Sequence, residues 1–429
     1  MNDTISVQDW FRLDNAAKIY PASYSDASPE VYRVSVTFRS PVRITAMQEA
    51  LRRVVQRTPY YQVHLRRGLF WYFLERHNEI PEIRQLSGAP VSPISIRHRG
   101  EHLFNVEAAG HTLAIDFSHI LTDGFGGMQF VCAVTGEYLR LCGHQIPRSA
   151  TIITPGEEPD PEEYEDAYRR YFQKGTPEPA KLTPAFHLPG IPHSFSYRAI
   201  EGRMPVAAAI AAAKKHGVTL TAYLSAVYLH ALSTIHRRLR NGVMKPGRQI
   251  VRLEVPVNMR RFYPSRTMRN FSLFVSPELD LRLGDYDFEE ILKRVHLDMS
   301  IQLDHKQLGR QMSRNVAAEL NPLIRPVPLV FKDLFLKYLH HAYGDNLYSG
   351  VLSNLGRFQL PDEAAKHVRS TGFVLGPNPV IKKTCSVQSF AEELSITFGS
   401  VIESRELERF FFTFLVEDGV PVTVSENSS

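Results

Sequence analysis

Apolar and polar residues alternate from Val31 to Phe38 (VYRVSVTF), the period of a strand with one buried face. The pattern then changes. In TAMQEALRRVVQRT, Thr45 to Thr58, the residues Met47, Leu51, Val54 and Val55 recur at helical spacing until Pro59 stops the run. YYQVHLRRGLFWYFLER predicts a hairpin about Arg67-Gly68, and HLFNVEAAGHTLAIDFSH a second one turning at Ala109-Gly110. MQFVCAVTGEYLRLCG reads as a helix closed by Gly143.

Between Ile152 and Pro192 the chain turns rich in proline, glutamate and tyrosine, which predicts a long crossover with at most one short helix near Tyr164 to Phe172. Strand-like FSYRAIEGRM follows, then a helix from Val206 and a longer one, TLTAYLSAVYLHALSTIHRRL, apolar on nearly every side and therefore deeply buried. QIVRLEVPVNMR, FSLFVSPELDL, SGVLSNLG, SVQSFAEELSITFGS and the terminal FFFTFLVE are all read as strands. The layout predicts an α/β protein of two domains, 1–175 and 195–429, joined by a crossover linker over 176–194.

Composition narrows the function classes. Hydrophobic residues at 43% and charged ones at 22% fit a globular chain with a sizeable core. The start, MNDTISVQDWFRLDN, lacks the basic and apolar regions of a secretory signal, and no run approaches the ~20 apolar residues of a membrane span, so a cytoplasmic protein with no membrane span is expected. Cys132, Cys142 and Cys385 form no CxxC pair, which argues against a disulfide framework or a cysteine zinc site. The net charge of +5 is concentrated in HRRLRNGVMKPGRQIVR, His236 to Arg252, either a solvated face or a landing surface for a phosphorylated ligand or an acidic protein. No DNA- or RNA-binding signature accompanies it, and no nucleic-acid partner is expected.

The candidate chemistry lies in HTLAIDFSHILTDGFGGM, His111 to Met128. Leu113, Ile115 and Phe117 share one strand face and Ala114, Asp116 and Ser118 the other, so His119 falls at the strand end, where it can project into a cleft. Asp123 is expected on the following loop, with Gly124, Gly126 and Gly127 letting that loop turn tightly before a helix. A neutral imidazole at such a place can take a proton from a hydroxyl, amine or thiol attacking a carbonyl. Asp123 is too close to be a second independent acid and is better suited to pairing with an arginine that steadies the loop. A similar spacing in HHAYGDN, from His340 and His341 to Asp345, follows a helix-periodic run and lacks the glycine, so a helix-end role is expected there.

SHILTDG resembles the HHxxxDG signature of the chloramphenicol acetyltransferase-like superfamily, the acyltransferases that include condensation domains and alcohol acetyltransferases. The similarity continues in FRLDNAAKIYPA, ALRRVVQRTPYYQVHL, VPVNMR, Asn270 in TMRNFSLFV, and SNLG at Ser353 to Gly356, with bacterial alcohol acetyltransferase-like proteins as the nearest likeness. The resemblance implies two similar α/β subdomains, each a mixed sheet backed by helices, with a central tunnel and the histidine at its middle. It implies His119 as general base and Asp123 as the partner of an arginine, for which Arg57 and Arg260 both stand at suitable positions. Gly124 would permit the tight loop and offer its N–H to an oxyanion. Ser118, Asn270, Ser353 and Asn354 would line the tunnel. Ser118 replaces the first histidine of the signature, and no DFGW-like motif of the plant branch occurs near the C-terminus.

The implied activity is transfer of an acyl group from a thioester, acyl-CoA as co-substrate, to an alcohol or amine, with no metal and no permanently bound cofactor. One alternative is a condensation-type enzyme whose donor arrives on an acyl carrier protein docked at the basic stretch. The other is a non-catalytic binding protein that keeps the fold.

Overall fold

In the computed structural model of the chain, residues 9–97, 100–148, 152–175, 177, 182–192, 197–242 and 247–427 are described, with side chains of helix Leu329–Tyr343 described through Tyr338. Two mixed sheets backed by helices organise them. The first has five strands in the spatial order Val368–Leu375, Val31–Phe38, Thr112–Ser118, Phe104–Ala109 and Arg84–Gln85, antiparallel except for the last pair. The period-2 pattern turns Val34, Val36, Leu113, Ile115 and Phe117 onto one face, where they meet Met47, Leu51, Val54 and Val55 of helix Ile44–Arg57 and Phe130 of helix Gly124–Leu141 in one core.

The opposite face of that sheet holds charge. Arg33 lies across from Asp116 in register, reaching its two oxygens with Nε at 2.9 Å and Nη2 at 2.7 Å, and Nη2 also reaches Glu107 at 3.0 Å. Ser92 donates to Glu107 at 2.6 Å. Such charges are tolerated inside a protein because each is paired and hydrogen-bonded.

The second sheet has eight strands. Seven lie in the order Ser272–Val275, Ile250–Asn258, Gly350–Arg357, Lys383–Phe390, Glu393–Ser400, Arg198–Pro205 and Thr423–Asn427, and Glu278–Asp280 also pairs with Ile250–Asn258. Gly350–Arg357 runs parallel to both of its neighbours. Helix Leu220–Asn241 packs on this sheet with Tyr223, Leu224, Val227, Tyr228 and Leu232 fully buried, as its apolar circumference predicts. Trp10–Arg12, Tyr72–Arg76 and Val63–Arg67 form a small third sheet.

Three differences from the pattern reading have physical causes. FFFTFLVE is not a strand but part of helix Glu406–Glu417: Leu407, Phe411 and Leu415 recur every four residues and are buried, so helical periodicity outweighs the strand preference of phenylalanine. FEEILKRVHLDMSIQ, where the pattern reading has no element, is helix Phe288–Gln302, opened by a capping box between Asp287 and Glu290. Val368–Leu375 leaves the C-terminal half to pair with Val31–Phe38 across the first sheet, a strand exchange that a division into 1–175 and 195–429 does not contain. Of the linker, 176, 178–181 and 193–194 lie outside the described residues, while Ala185, Phe186 and Leu188 are buried against the second half and Phe186 N donates to Ile250 O at 2.7 Å. His340 and His341 fall inside helix Leu329–Tyr343, and their side chains lie outside the described residues.

Candidate active site

His119 follows directly on the strand Thr112–Ser118, the middle strand of the first sheet. Its backbone is tied on both sides: its N–H donates to Glu30 O at 2.9 Å, and its carbonyl accepts from Asn270 Nδ2 at 2.9 Å. Glu30 stands in the left-handed region, at φ 51°, to aim that carbonyl. A non-glycine residue is seldom held there unless its surroundings fix it. Ser118 keeps its hydroxyl within the turn, accepting from Ile120 N at 3.2 Å.

Asp123 is the last residue of the loop, with extended backbone. It caps helix Gly124–Leu141, its Oδ1 accepting from Gly126 N at 3.0 Å, so the three glycines form the first helical turn rather than a flexible loop. None of them has a positive φ, and their need is proximity. A Cβ at Gly126 would lie 2.5 Å from Met268 O, one at Gly127 2.4 Å from the Tyr32 hydroxyl, and one at Gly124 2.4 Å from Leu355 Cδ2.

Of the two candidate arginines, Arg260 makes the pair. Its Nη1 reaches Asp123 Oδ2 at 2.8 Å and its Nη2 reaches Oδ1 at 3.3 Å. The remaining guanidinium protons go to Asn258 Oδ1, Thr267 O and Arg269 O, so all five donors are engaged. Phe271 N donates to Asp123 Oδ2 at 2.8 Å. Arg57 does not take part. Its two terminal nitrogens bind Glu163, at 2.8 and 2.7 Å, together with the Tyr60 hydroxyl, and this pins the crossover segment to helix Ile44–Arg57.

The imidazole of His119 is half-buried between two tyrosines, stacked on Tyr20 at 5.3 Å between ring centres and tilted against Tyr32 at 4.8 Å. Loss of water around the ring pushes its pKa down to about 4, against the smaller opposing pulls of the Asp123 charge and a hydrogen bond to the Thr122 backbone. The ring is thus neutral at pH 7, the form of an imidazole that can accept a proton.

Asn270 is brought to the site: besides His119 O, its amide reaches Asp14 Oδ2 at 3.0 Å. Among the described residues, Ser353 and Asn354 make no hydrogen bond to His119, Asp123 or Arg260. Ser353 is buried within the strand Gly350–Arg357, and Asn354 donates to Thr221 Oγ1 at 3.0 Å and caps the turn at Gly356. Their neighbour Leu355 is the residue that meets Gly124. Sequence reasoning assigned no role to Tyr32, whose hydroxyl donates to Asp123 O at 2.6 Å, or to Asp14 and Glu30. The burial of Asp14 that ties it to Asn270 shows only in the folded chain. Nothing in VYRVSVTF distinguishes Tyr32 from a core residue. Among the described residues, no three His, Cys, Asp or Glu side chains are grouped to hold a metal ion, and no single helix is long and apolar enough to cross a membrane.

No family model matches the sequence, and no curated protein does. Solved structures do match the fold. The first condensation domain of the CDA synthetase superposes with a TM-score of 0.60 at 16% identity, covering 97% of this chain and 99% of its own. Polyketide synthase associated protein 5 from Mycobacterium tuberculosis gives 0.58 at 14%, covering 95% and 98%. A variant of the starter condensation domain of rhizomide synthetase RzmA, in complex with C8-CoA, gives 0.59 at 15%, covering 96% and 98%. The architecture is therefore the expected one: the chain has the chloramphenicol acetyltransferase-like fold of condensation domains, with its two subdomains.

Proposed function

We propose that the protein is an acyltransferase that moves an acyl group from a thioester, acyl-CoA, to an alcohol or amine, with His119 as general base. The observation that carries this reading is the neutral His119 ring, lying between Tyr20 and Tyr32 at a strand end whose backbone is tied by Asn270 and Glu30, with the Asp123–Arg260 pair at the following helix start. The likeness to a starter condensation domain crystallised with C8-CoA supports the donor class.

In the proposed reaction a ring nitrogen of His119 takes the proton of the acceptor O–H or N–H as the acceptor oxygen or nitrogen bonds to the thioester carbon. The tetrahedral oxyanion is met by the N–H of Gly124, which as the first helical residue has no intrahelical acceptor. Collapse breaks the C–S bond, and the imidazolium returns its proton to the departing thiolate. No acyl-enzyme is formed.

The basic run gives little support to the carrier-protein alternative, because its charges are largely engaged within the chain. His236 contacts Arg248 O, Arg238 pairs with Glu406, Arg240 with Asp285 and the buried Arg252 with Glu278, while 243–246 lie outside the described residues. The deciding experiment is thiol release from acetyl-, butyryl- and longer acyl-CoAs with a panel of alcohols and amines, run beside His119→Ala. Acceptor-dependent release lost in the variant is the expected result. Release unchanged in the variant would remove His119 from the chemistry, and silence with every CoA donor but turnover with acylated carrier protein would shift the donor class.

A further inference from the structure

Between Val330 and Tyr338, helix Leu329–Tyr343 turns apolar residues outward. Val330, Phe331, Leu334, Phe335 and Tyr338 face solvent with 55–67% of their surface exposed, whereas Lys332 is only 3% exposed. Lys332 Nζ donates to Phe70 O and Arg325 O, both at 3.0 Å, and lies 3.8 Å over the Trp71 ring. Asp333 also turns inward, accepting from the Tyr72 hydroxyl at 2.9 Å and from Arg67 at 3.4 Å. Leu329 N donates to Leu69 O at 2.8 Å, so the helix and the tip of the 63–76 hairpin form one unit, and Leu69 at that tip is 70% exposed.

The polarity of this unit is opposite to that of an ordinary surface helix, whose apolar stripe faces the core. Contiguous exposed apolar surface of this kind marks an interaction site. Its charged neighbours share one sign: Arg67, Arg325 and Lys337 are exposed beside the stripe, while Asp333, the single acidic residue in 320–343, is turned inward.

We propose that this face docks on an anionic lipid surface. Protruding leucine and phenylalanine side chains ringed by cations are what an interfacial helix presents to headgroups and acyl chains, and a fluid surface needs no matching pockets. A second copy in two-fold contact would instead set one cationic rim against another. The helix packs on the turn Tyr20–Ser23, and Tyr20 is the ring stacked on His119. Docking therefore brings the lipid beside the turn that covers the candidate base. Resting on the acyl-transfer reading, this points to a membrane-resident amphiphile as one of the two substrates.

The test is flotation of the full chain with phosphatidylcholine vesicles and with phosphatidylcholine/phosphatidylglycerol vesicles. Binding to the anionic vesicles is expected to exceed that to neutral ones by about tenfold and to weaken as salt is raised. Leu334→Glu/Phe335→Glu should abolish it without altering the thermal midpoint, since both side chains are exposed. Arg325→Glu/Lys337→Glu should reduce it to the neutral-vesicle level, and His119→Ala should float like the parent, which keeps this result separate from the acyl-transfer reading. Absence of flotation, or flotation indifferent to Leu334→Glu/Phe335→Glu, would overturn the proposal. So would a concentration-dependent dimer, or binding to acyl carrier protein in place of vesicles, that the same variant removes.

Discussion

Arg260 holds Asp123 through both terminal nitrogens, while the same carboxylate caps the helix that starts six residues beyond the strand end at Ser118. A residue from the second half of the chain thus sets the geometry of the turn that carries His119. Lysine, a single point charge, cannot replace five planar donors. Arg260→Lys is expected to lower kcat for acyl transfer by about 10- to 100-fold, with KM for the donor little changed. Initial rates across donor concentrations would show it.

Arg57→Met separates structure from chemistry. It leaves Glu163 buried without its cation and is expected to cost about 3–5 kcal/mol of stability. Soluble enzyme recovered below its lowered melting temperature should keep near-parental kcat. A selective loss of kcat at full stability would place Arg57 in the site after all.

Burial sets the pH profile. Because desolvation pulls His119 down to about 4, its basic form persists through the weakly acidic range and is lost only as pH falls through that value. The acid limb of kcat/KM is expected near pH 4 rather than near the ordinary histidine value of about 6.5. An inflection at the ordinary value, in a protein shown still folded by circular dichroism, would mean the ring is hydrated in the working enzyme.

A second set of imidazoles makes stability depend on pH. His64, His77 and His102 lie in a row, with ring centres 5.3 and 4.3 Å apart. Burial and neighbouring positive charge depress His77, and push His102 down to about 4. Unfolded histidines take up protons near about pH 6.5, while His77 and His102 resist until lower pH, so the folded state loses stability as pH falls below that value. Replacing His102 by phenylalanine should shrink the drop in thermal midpoint between neutral and mildly acid buffer.

Tyr32 and Gly127 should prove non-additive. Gly127→Ala drives a methyl to 2.4 Å from the Tyr32 hydroxyl, and overpacking of that kind costs about 1–3 kcal/mol. Tyr32→Phe removes that oxygen together with its hydrogen bond to Asp123 O, a loss of about 1 kcal/mol. The pair made together should lose less than the sum of the two, read from a denaturation double-mutant cycle.

Much of this was legible in the chain. Alternation located the Val31–Phe38 and Thr112–Ser118 strands, and helical spacing located the helices Ile44–Arg57 and Leu220–Asn241, because each is written in consecutive residues. The choice between Arg57 and Arg260 was not legible, since both are basic residues near family-like segments and the decision belongs to Glu163, a residue inside the crossover. The FFFTFLVE run misled because aromatic residues favour strands, and only the four-residue recurrence of buried positions reveals the helix Glu406–Glu417. The stripe of helix Leu329–Tyr343 is the converse case: its periodicity is plain, yet which side faces inward depends on the hairpin carbonyl that receives Lys332.

The exchange of Val368–Leu375 into the first sheet also sets a timetable for biosynthesis. Until that segment has left the ribosome, Val31–Phe38 is an eight-residue strand with one open edge and buried-type residues along most of its length. The N-terminal half cannot close its sheet while the chain is being made, so a nascent protein truncated before residue 368 should be a client of holding chaperones and prone to cross-strand aggregation.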